Sequence, residues 1–321
     1  MRSRYLVLAL CALLAGCANE KSSDPVAVPE KLDAAVSAIR PGDHRLIAGY
    51  TDGVALIWDM KTGKKERIVK IGPAKIAAIS FSKDGSVVGF DCDDRIARIW
   101  RWNSAAPPLK IPHDTLIPAI SVAADGKTVA LVDNFRVFKL YDTTTGKVTK
   151  EFNRDAPISV NAGPLQISDD GKLLVGGTDT GTVFVWKLGD STLRREMRGS
   201  PGSCTSLVIS HSTKLVMIGG ATGDIYIMGM TGKNALGAVQ LNSSVVFTAL
   251  SPSGVDLIAS GLQTKVWSVT AMHTGWSRVL DGRVASYNCF SSDNGYLTTC
   301  LRSDVYLFDG HTFDLVNTYH R

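Results

Sequence analysis

The feature that most constrains this chain is a repeat of about 41 residues that runs through most of its 321 residues. Short apolar stretches end, at intervals of 39 to 45 residues, at Trp58, Trp100, Tyr141, Trp186, Met228, Trp267 and Phe308. A second series with a similar period ends at Gly85, Gly126, Gly171, Thr213, Gly254 and Gly295. Most members of this series contain Asp-Gly or Asn-Gly, pairs that adopt the positive φ of tight hairpins. The second series therefore predicts turns between strands.

Each repeat predicts four short strands joined by turns. In the second repeat these strands are predicted over residues 77–81, 87–91, 95–102 and 109–111, and no amphipathic helical pattern follows residue 40. A single four-stranded sheet cannot bury both of its faces, whereas seven sheets stacked around an axis can. The sequence therefore predicts an all-β fold over residues 34–321, a seven-bladed β-propeller of four-stranded antiparallel blades.

The closure of the ring follows from the phase of the repeat. If residues 34–40 form the inner strand of the first blade, residues 313–319 supply the outer strand of the seventh. Each blade then consists of four consecutive strands, and the two chain ends exchange none. The alternative is that residues 26–28 pair at a sheet edge.

The repeat also resembles a known family. Trp58-Asp59, Tyr141-Asp142 and Phe308-Asp309 occupy the position of the dipeptide that names the WD-repeat β-propellers. Asp52 and Asp94 lie six residues before Trp58 and Trp100, where that family places a turn aspartate. The resemblance covers the chain from residue 34 onward and implies the same propeller fold.

One feature departs from the pattern of this family, and another also fits a second family. The Gly-His pair that usually precedes the inner strand is represented only by His113, which follows Pro112, so the hydrogen-bonded tetrad of the family is not expected. Quinoprotein-like propellers are the alternative resemblance, because their repeat ends in Thr-Gly-Lys. That tripeptide occurs at residues 62–64, 145–147 and 231–233 and fits the tight turn of either family.

The amino terminus carries a targeting pattern. Arg2 and Arg4 precede an apolar run over residues 5–14, which is too short to span a bilayer. Leu14-Ala15-Gly16-Cys17 follows and resembles the lipoprotein signal of bacteria. The resemblance implies that the chain is cut before Cys17, that its sulfur receives diacylglycerol and that its amino group is acylated. The alternative is an ordinary secretory signal in which Cys17 is incidental.

These features divide the chain into three segments. Residues 1–16 are predicted to be the signal peptide, and residues 17–33 the lipidated cysteine and a flexible tether, because the latter are polar and contain two prolines. Residues 34–321 form the propeller. Ala18, rather than Asp, follows Cys17, and by the same resemblance this implies an outer-membrane location facing the periplasm.

Composition excludes several kinds of chemistry. The 35 basic and 30 acidic residues leave a formal charge of +5, too small and too dispersed to indicate nucleic-acid binding. The six histidines are scattered, without metal-ligand spacing, and are expected to be solvated turn residues. No nucleophile elbow or phosphate-binding glycine loop occurs. We therefore expect no catalytic residues, no metal and no cofactor.

The number and spacing of the cysteines predict thiols rather than disulfides in the interior of the fold. Cys92, Cys204, Cys289 and Cys300 remain besides Cys17 after signal cleavage, too few for a disulfide scaffold. Cys289 and Cys300 flank a predicted turn, but that turn places them diagonally on neighbouring strands, so a bond between them is geometrically doubtful. We expect buried free thiols and leave this one pair open.

Charged loop residues define a candidate binding surface. The turns between second and third strands and the connections between blades open on one side of a propeller, and they carry Asp52, Asp94, Asp133, Asp179, Arg154, Arg198, Arg283 and Arg302. Together these predict a mixed-charge surface for protein partners, although aspartate also favours turns for local reasons. Arg101-Trp102 is a further candidate, either as an interface anchor or as a solvent-facing strand end.

The predicted fold, the targeting pattern and the lack of catalytic or metal-binding motifs favour one function. We expect a membrane-anchored, non-enzymatic scaffold of the bacterial cell envelope that binds envelope or outer-membrane proteins through its loop faces. The alternative is a periplasmic propeller that binds a small molecule or acts as an enzyme of the quinoprotein-like or lyase kind. The oligomeric state stays open.

Overall fold

The structure is a computed structural model, and it describes residues 33–114, 119–133, 137–152, 162–189, 193–198, 202–210, 214–230, 235–270, 273–281 and 287–321. The predicted signal peptide, Cys17 and nearly all of the predicted tether lie outside these residues. Within the described ranges, no helix has the length and apolar character needed to cross a bilayer.

The first four blades contain sixteen strands. Blade 1 consists of β1 (Ala34–Arg40), β2 (Arg45–Tyr50), β3 (Val54–Asp59) and β4 (Lys65–Lys70). Blade 2 consists of β5 (Ile76–Phe81), β6 (Val87–Cys92), β7 (Ile96–Arg101) and β8 (Leu109–Pro112). Blade 3 consists of β9 (Ile120–Val122), β10 (Thr128–Asp133), β11 (Val137–Asp142) and β12 (Val148–Phe152). Blade 4 consists of β13 (Ala162–Ile167), β14 (Leu173–Thr178), β15 (Thr182–Lys187) and β16 (Leu193–Arg198).

The last three blades repeat the pattern. Blade 5 consists of β17 (Cys204–Ser210), β18 (Leu215–Gly220), β19 (Asp224–Gly229) and β20 (Ala235–Gln240). Blade 6 consists of β21 (Phe247–Leu250), β22 (Asp256–Ser260), β23 (Thr264–Thr270) and β24 (His273–Asp281). Blade 7 consists of β25 (Tyr287–Phe290), β26 (Tyr296–Leu301), β27 (Asp304–Asp309) and β28 (Leu315–Tyr319).

Each blade is a four-stranded antiparallel sheet in sequence order, which confirms the predicted seven-bladed propeller. The first strand of each blade contacts the first strands of both neighbours, so it is the inner strand. Side chains on several inner strands accept backbone N–H bonds from the next blade, each 2.9 Å long. These acceptors and donors are Ser80 and Val122, Ser121 and Ile167, and Gln166 and Ile209.

The residues that mark the repeat mark the packing between blades. Trp58, Trp100, Tyr141, Trp186, Met228, Trp267 and Phe308 are each at most 6% exposed, and each belongs to a different one of seven apolar clusters. In six of the blades the register of the third and fourth strands shifts at this residue. The period in the sequence is therefore the period of burial between sheets.

Local turn chemistry explains the aspartate that follows the marker aromatic residue in blades 1, 3 and 7. The Oδ1 atom of Asp59 accepts the N–H groups of Lys61 and Thr62, both at 2.9 Å. Asp142 and Asp309 bind their own turns in the same way. The aspartate of the family dipeptide thus holds the turn between third and fourth strands.

The ring closes without strand exchange, as one of the two predicted arrangements requires. The outer strand β28 begins at Leu315, because Phe313 and Asp314 belong to the preceding turn. Side chains and backbone join blades 7 and 1: the Ala34 N–H donates to the Arg302 carbonyl at 2.5 Å, and the Tyr319 hydroxyl donates to the Met60 carbonyl at 3.3 Å. The alternative edge strand at residues 26–28 lies outside the described residues.

Candidate protein-binding face

Successive strands run in opposite directions, so turns between second and third strands share one side with the connections between blades. We call this side the link face; it includes residues 51–53, 93–95, 179–181, 221–223, 261–263 and 302–303, the connections 71–75 and 241–246, and residues 33 and 320–321. Contacts support the grouping, since the Ile71 N–H donates to the Gly53 carbonyl at 2.9 Å. The opposite side carries the remaining turns and is called the hairpin face.

Asp52 closes the seam of the ring on the link face. Its carboxylate accepts a hydrogen bond from the Arg321 guanidinium at 2.5 Å, and the same guanidinium lies 4.6 Å from the Tyr50 ring centroid. The Lys70 ammonium donates to the Asp52 carbonyl at 2.5 Å. Burial opposes ionisation of Asp52, but the Arg321 bond and the Val54 N–H outweigh it, and the pKa of Asp52 is lowered.

Asp94 neutralises a buried arginine in blade 2. Arg98 is 2% exposed and binds Asp94 through both terminal nitrogens, at 2.9 and 2.5 Å. The hydrogen bond from Arg98 lowers the pKa of Asp94. A Cβ added at Gly72 would lie 2.7 Å from Cζ of Arg98, so any side chain at this position would displace the guanidinium from its present place.

A second buried pair lies beside it and corrects an expectation. His113 is not a solvated turn residue: it is 6% exposed, and its Nε2 atom lies 2.9 Å from Oδ1 of Asp91. The other oxygen of Asp91 accepts the Ala119 N–H at 3.0 Å. The residue closest to the family's Gly-His pattern thus forms a two-residue polar contact between blades 2 and 3, where the sequence predicted no network.

Asp133 lies at the end of β10 rather than in a turn, and it is 9% exposed. Its carboxylate lies 2.7 Å from the Lys139 ammonium and accepts the Asp114 N–H at 2.9 Å. Asp179 is exposed in the turn between β14 and β15. The predicted aspartates therefore share the link face, and three of them bind cations that sequence reasoning missed. An i,i+4 spacing relates Asp94 to Arg98, but no local signal relates Asp52 to Arg321.

The predicted arginines are described only in part. Arg302 is exposed in the turn between β26 and β27, with φ of 54°, and it forms no ion pair with any residue in the described ranges. Arg198 ends β16, and its side chain is outside the description. Arg154 and Arg283 lie outside the described residues. The structure therefore places Arg302 on the predicted face, and the roles of Arg154, Arg198 and Arg283 stay predictions.

An apolar surface on the link face was missed by the sequence. Leu262 is 70% exposed and Val246 is 51% exposed, in the turn between β22 and β23 and in the connection before β21. The Leu262 N–H donates to Oγ of Ser243 at 3.1 Å, and the Val246 N–H donates to the Ser260 carbonyl at 2.7 Å. Residues 242–247 and 261–263 contain no charged side chain, and we call them the apolar arc.

Arg101 and Trp102 lie on the hairpin face, where one side chain is exposed and the other is buried. Arg101 is exposed and donates to Oγ1 of Thr144 at 2.8 Å, as the solvent-facing interpretation predicted. Trp102 is 8% exposed, with its ring 5.4 Å from that of Trp100 and 4.8 Å from the Arg40 guanidinium. The tryptophan is therefore covered by this chain and is no exposed anchor.

The described residues contain free thiols and no metal cluster. The four described cysteines, Cys92, Cys204, Cys289 and Cys300, form no disulfide with one another, and all but the half-buried Cys289 are buried. Cys300 pairs with Tyr287, and Cys289 with Thr298, so the two cysteines are diagonal neighbours. Burial raises the pKa of the Cys300 thiol to about 12, which keeps it protonated. No group of three His, Cys, Asp or Glu side chains in the described ranges is arranged to hold a metal ion.

Comparisons with known proteins support the fold family only weakly. The chain matches no protein-family profile. It is 23% identical to apoptotic protease-activating factor 1 of Rattus norvegicus over 122 residues, which are 38% of this chain and 10% of that protein. It is 22% identical to a guanine nucleotide-binding protein subunit beta of Zea mays over 206 residues, 60% of this chain and 52% of that protein. The chain thus spans a tenth and about half of these relatives, and the weak similarity to WD-repeat proteins agrees with the seven-bladed fold.

Proposed function

We propose that this protein is a non-enzymatic scaffold, anchored by lipid in the bacterial cell envelope, that binds envelope proteins through the link face. The observation that carries this proposal is the exposed apolar arc on a WD-repeat-like propeller. Loops held by a rigid scaffold are frequent binding sites, and protein interfaces combine an apolar centre with a polar rim. Leu262 and Val246 supply such a centre, and the neighbouring turns supply the rim.

The anchor rests on the sequence pattern. Leu14-Ala15-Gly16-Cys17 resembles the lipoprotein signal, and several acyl chains hold a protein firmly to a membrane where one holds it weakly. By the same resemblance, Ala18 supports an outer-membrane site facing the periplasm. The similarity to WD-repeat proteins supports an interaction scaffold and does not name a partner.

The test uses the full chain with its leader intact, produced in bacteria. Labelled fatty acid is expected to enter the protein and its Cys11→Ala variant, and to be lost in Cys17→Ala. Mild detergent extraction of membranes should recover at least one envelope protein with the lipidated chain. Labelling that persists in Cys17→Ala contradicts the anchor, and recovery of no envelope protein above background contradicts the scaffold.

A further inference from the structure

We infer that the apolar arc and Arg302 form one docking site, which takes a segment of an envelope protein that presents an apolar side chain beside a carboxylate. This inference rests on the proposed function and specifies the chemistry of the partner. Leu262 and Val246 would contact the apolar side chain, and the Arg302 guanidinium would bind the carboxylate.

The two parts of this site are neighbours on the link face. Ser260, which ends β22 two residues before Leu262, accepts a hydrogen bond from the Asn288 amide at 2.7 Å. Asn288 pairs with Thr299 on β26, the strand that leads into the turn of Arg302. Leu262 and Arg302 therefore occupy corresponding turns of adjacent blades.

Both turns are held in place by hydrogen bonds. The Ser243 hydroxyl oxygen accepts the Leu262 N–H at 3.1 Å and ties the turn to the connection between blades 5 and 6. The Arg302 carbonyl accepts the Ala34 N–H at 2.5 Å and ties its turn to blade 1. A ligand that binds such preformed turns loses less free energy to ordering them.

The combination of an exposed leucine and a nearby arginine without an ion pair among the described residues distinguishes this site from the rest of the link face. The carboxylates of Asp52, Asp94 and Asp133 already bind cations of this chain. Arg302 has no such partner among the described residues, and the apolar arc contains no charge that would attract a basic segment. A partner carboxylate would therefore find its counter-charge at Arg302, next to the one exposed leucine in the described turns of the link face.

The point at which the chain enters the propeller favours an envelope protein as the occupant. The Asp33 carbonyl accepts the Thr51 N–H at 3.1 Å, so the chain enters at the link face, beside the turn of Arg302. The 16 residues from Ala18 to Asp33 can reach at most about 55 Å when fully extended. With Cys17 lipidated, Asp33 would be held within that distance of the membrane, and the link face on which it lies would meet envelope proteins at high local concentration.

The experiment places a photo-crosslinking amino acid at position 262 of the full, leader-bearing chain in living bacteria. The matched control is position 68, because Ile68 is also 70% exposed but lies on the outer strand β4. We expect an adduct from position 262 and none from position 68. Sequencing of the cross-linked peptide should show an apolar residue within a few positions of Asp or Glu.

Substitutions then test each contact. Leu262→Asp should lower recovery of that same cross-linked or co-purified protein by about tenfold or more, because it places a charge at the centre of the contact. Arg302→Glu should lower it about threefold to tenfold, with adduct formation from position 262 weakened in parallel. Ile68→Asp should leave recovery within about twofold. Thermal unfolding checks that all three variants fold.

Each other outcome overturns the inference. An adduct with lipid identifies the arc as a membrane contact, and an adduct with a peptide of this chain identifies it as a self-association surface. A cross-linked peptide without a carboxylate, or unchanged recovery with Arg302→Glu, removes Arg302 from the site. If position 262 gives no adduct while the lipidated chain still recovers an envelope protein, the docking site is wrong and the scaffold function stands. If neither experiment finds a partner, the scaffold function fails as well.

Discussion

Two arcs of the same face use their residues in opposite ways. In blades 1 to 3 the link face is rich in charge, but Asp52, Asp94 and Asp133 bind Arg321, Arg98 and Lys139 of this chain. We call these three pairs, with Asp91 and His113, the charged arc. In blade 6 the apolar arc contains no charged side chain and exposes Leu262 and Val246. The charged residues are used for contacts within this chain, two pairs inside a blade and one across the seam, whereas the apolar arc keeps exposed contact surface.

The comparison predicts that substitutions in the charged arc lower the free energy of unfolding more than substitutions in the apolar arc. Asp94→Ala leaves the Arg98 charge buried without its carboxylate, and we expect it to lower the free energy of unfolding by about 3 kcal/mol. Chemical denaturation measures this value. The double variant Asp94→Ala/Arg98→Met removes both charges while filling the volume, and it should recover most of the loss. A single variant as stable as the unmodified protein would show that this pair does not hold the arc.

The second buried pair should give a somewhat smaller effect. Asp91→Ala removes the partner of His113 and of the Ala119 N–H, and we expect a loss of about 2 kcal/mol in the free energy of unfolding. Asp91→Asn keeps an acceptor for the Ala119 N–H and should lose less. Equal losses for the two variants would mean that the hydrogen bond to Ala119 contributes nothing measurable.

The ion pair of Asp94 also predicts a pH dependence. Arg98 lowers the pKa of Asp94 in the folded state, so the pair stabilises the fold fully above the unfolded pKa of about 4. The contribution is lost as the pH falls from there through the lowered folded value. Asp94→Asn should therefore lose stability at neutral pH and show a flatter decline below about pH 4 than the unmodified protein. Parallel acid limbs for the two proteins would contradict this assignment.

The exposed pair at the seam should contribute less than the buried pairs, in spite of its short distance. Arg321 and Asp52 are each 26% exposed at the side chain and lie 2.5 Å apart. Such pairs contribute about 0–1 kcal/mol, so Arg321→Ala should lower the free energy of unfolding by less than about 1 kcal/mol. Removing the Tyr319 ring, which is 2% exposed against Trp58, should cost more. A larger effect for Arg321 would mean that the seam depends on its charge.

The apolar arc should show the smallest effect on stability. Leu262→Asp is expected to change the free energy of unfolding by no more than about 0.5 kcal/mol, since the side chain is 70% exposed. The matched interior change is Leu257→Ala in the preceding strand, where a fully buried leucine should cost about 3 kcal/mol. If Leu262→Asp destabilises as strongly as Leu257→Ala, the arc belongs to the core and not to a binding site.

Parts of the fold that repeat were predictable from the sequence. Trp58, Trp100 and Trp186 recur with the period of the blades because each fills one cluster between two sheets. Turn residues such as Asp59 and Gly85 act through neighbours two to four positions away, so their role is visible in a short window. Trp102 misled for the opposite reason, since Arg40, which covers its ring, comes from another blade.

The sequence by itself therefore determined the seven four-stranded blades and the candidate link face, and it left the closure of the ring between two arrangements. Local hydrogen bonds and periodic burial suffice for these features. Only the tertiary structure decided which charges on that face are used within the chain and which apolar side chains remain uncovered. Asp52 and Arg321 are 269 positions apart and meet only because the ring closes. Leu262 looks like any other leucine in the sequence, and its exposure follows from where its blade stands in that ring.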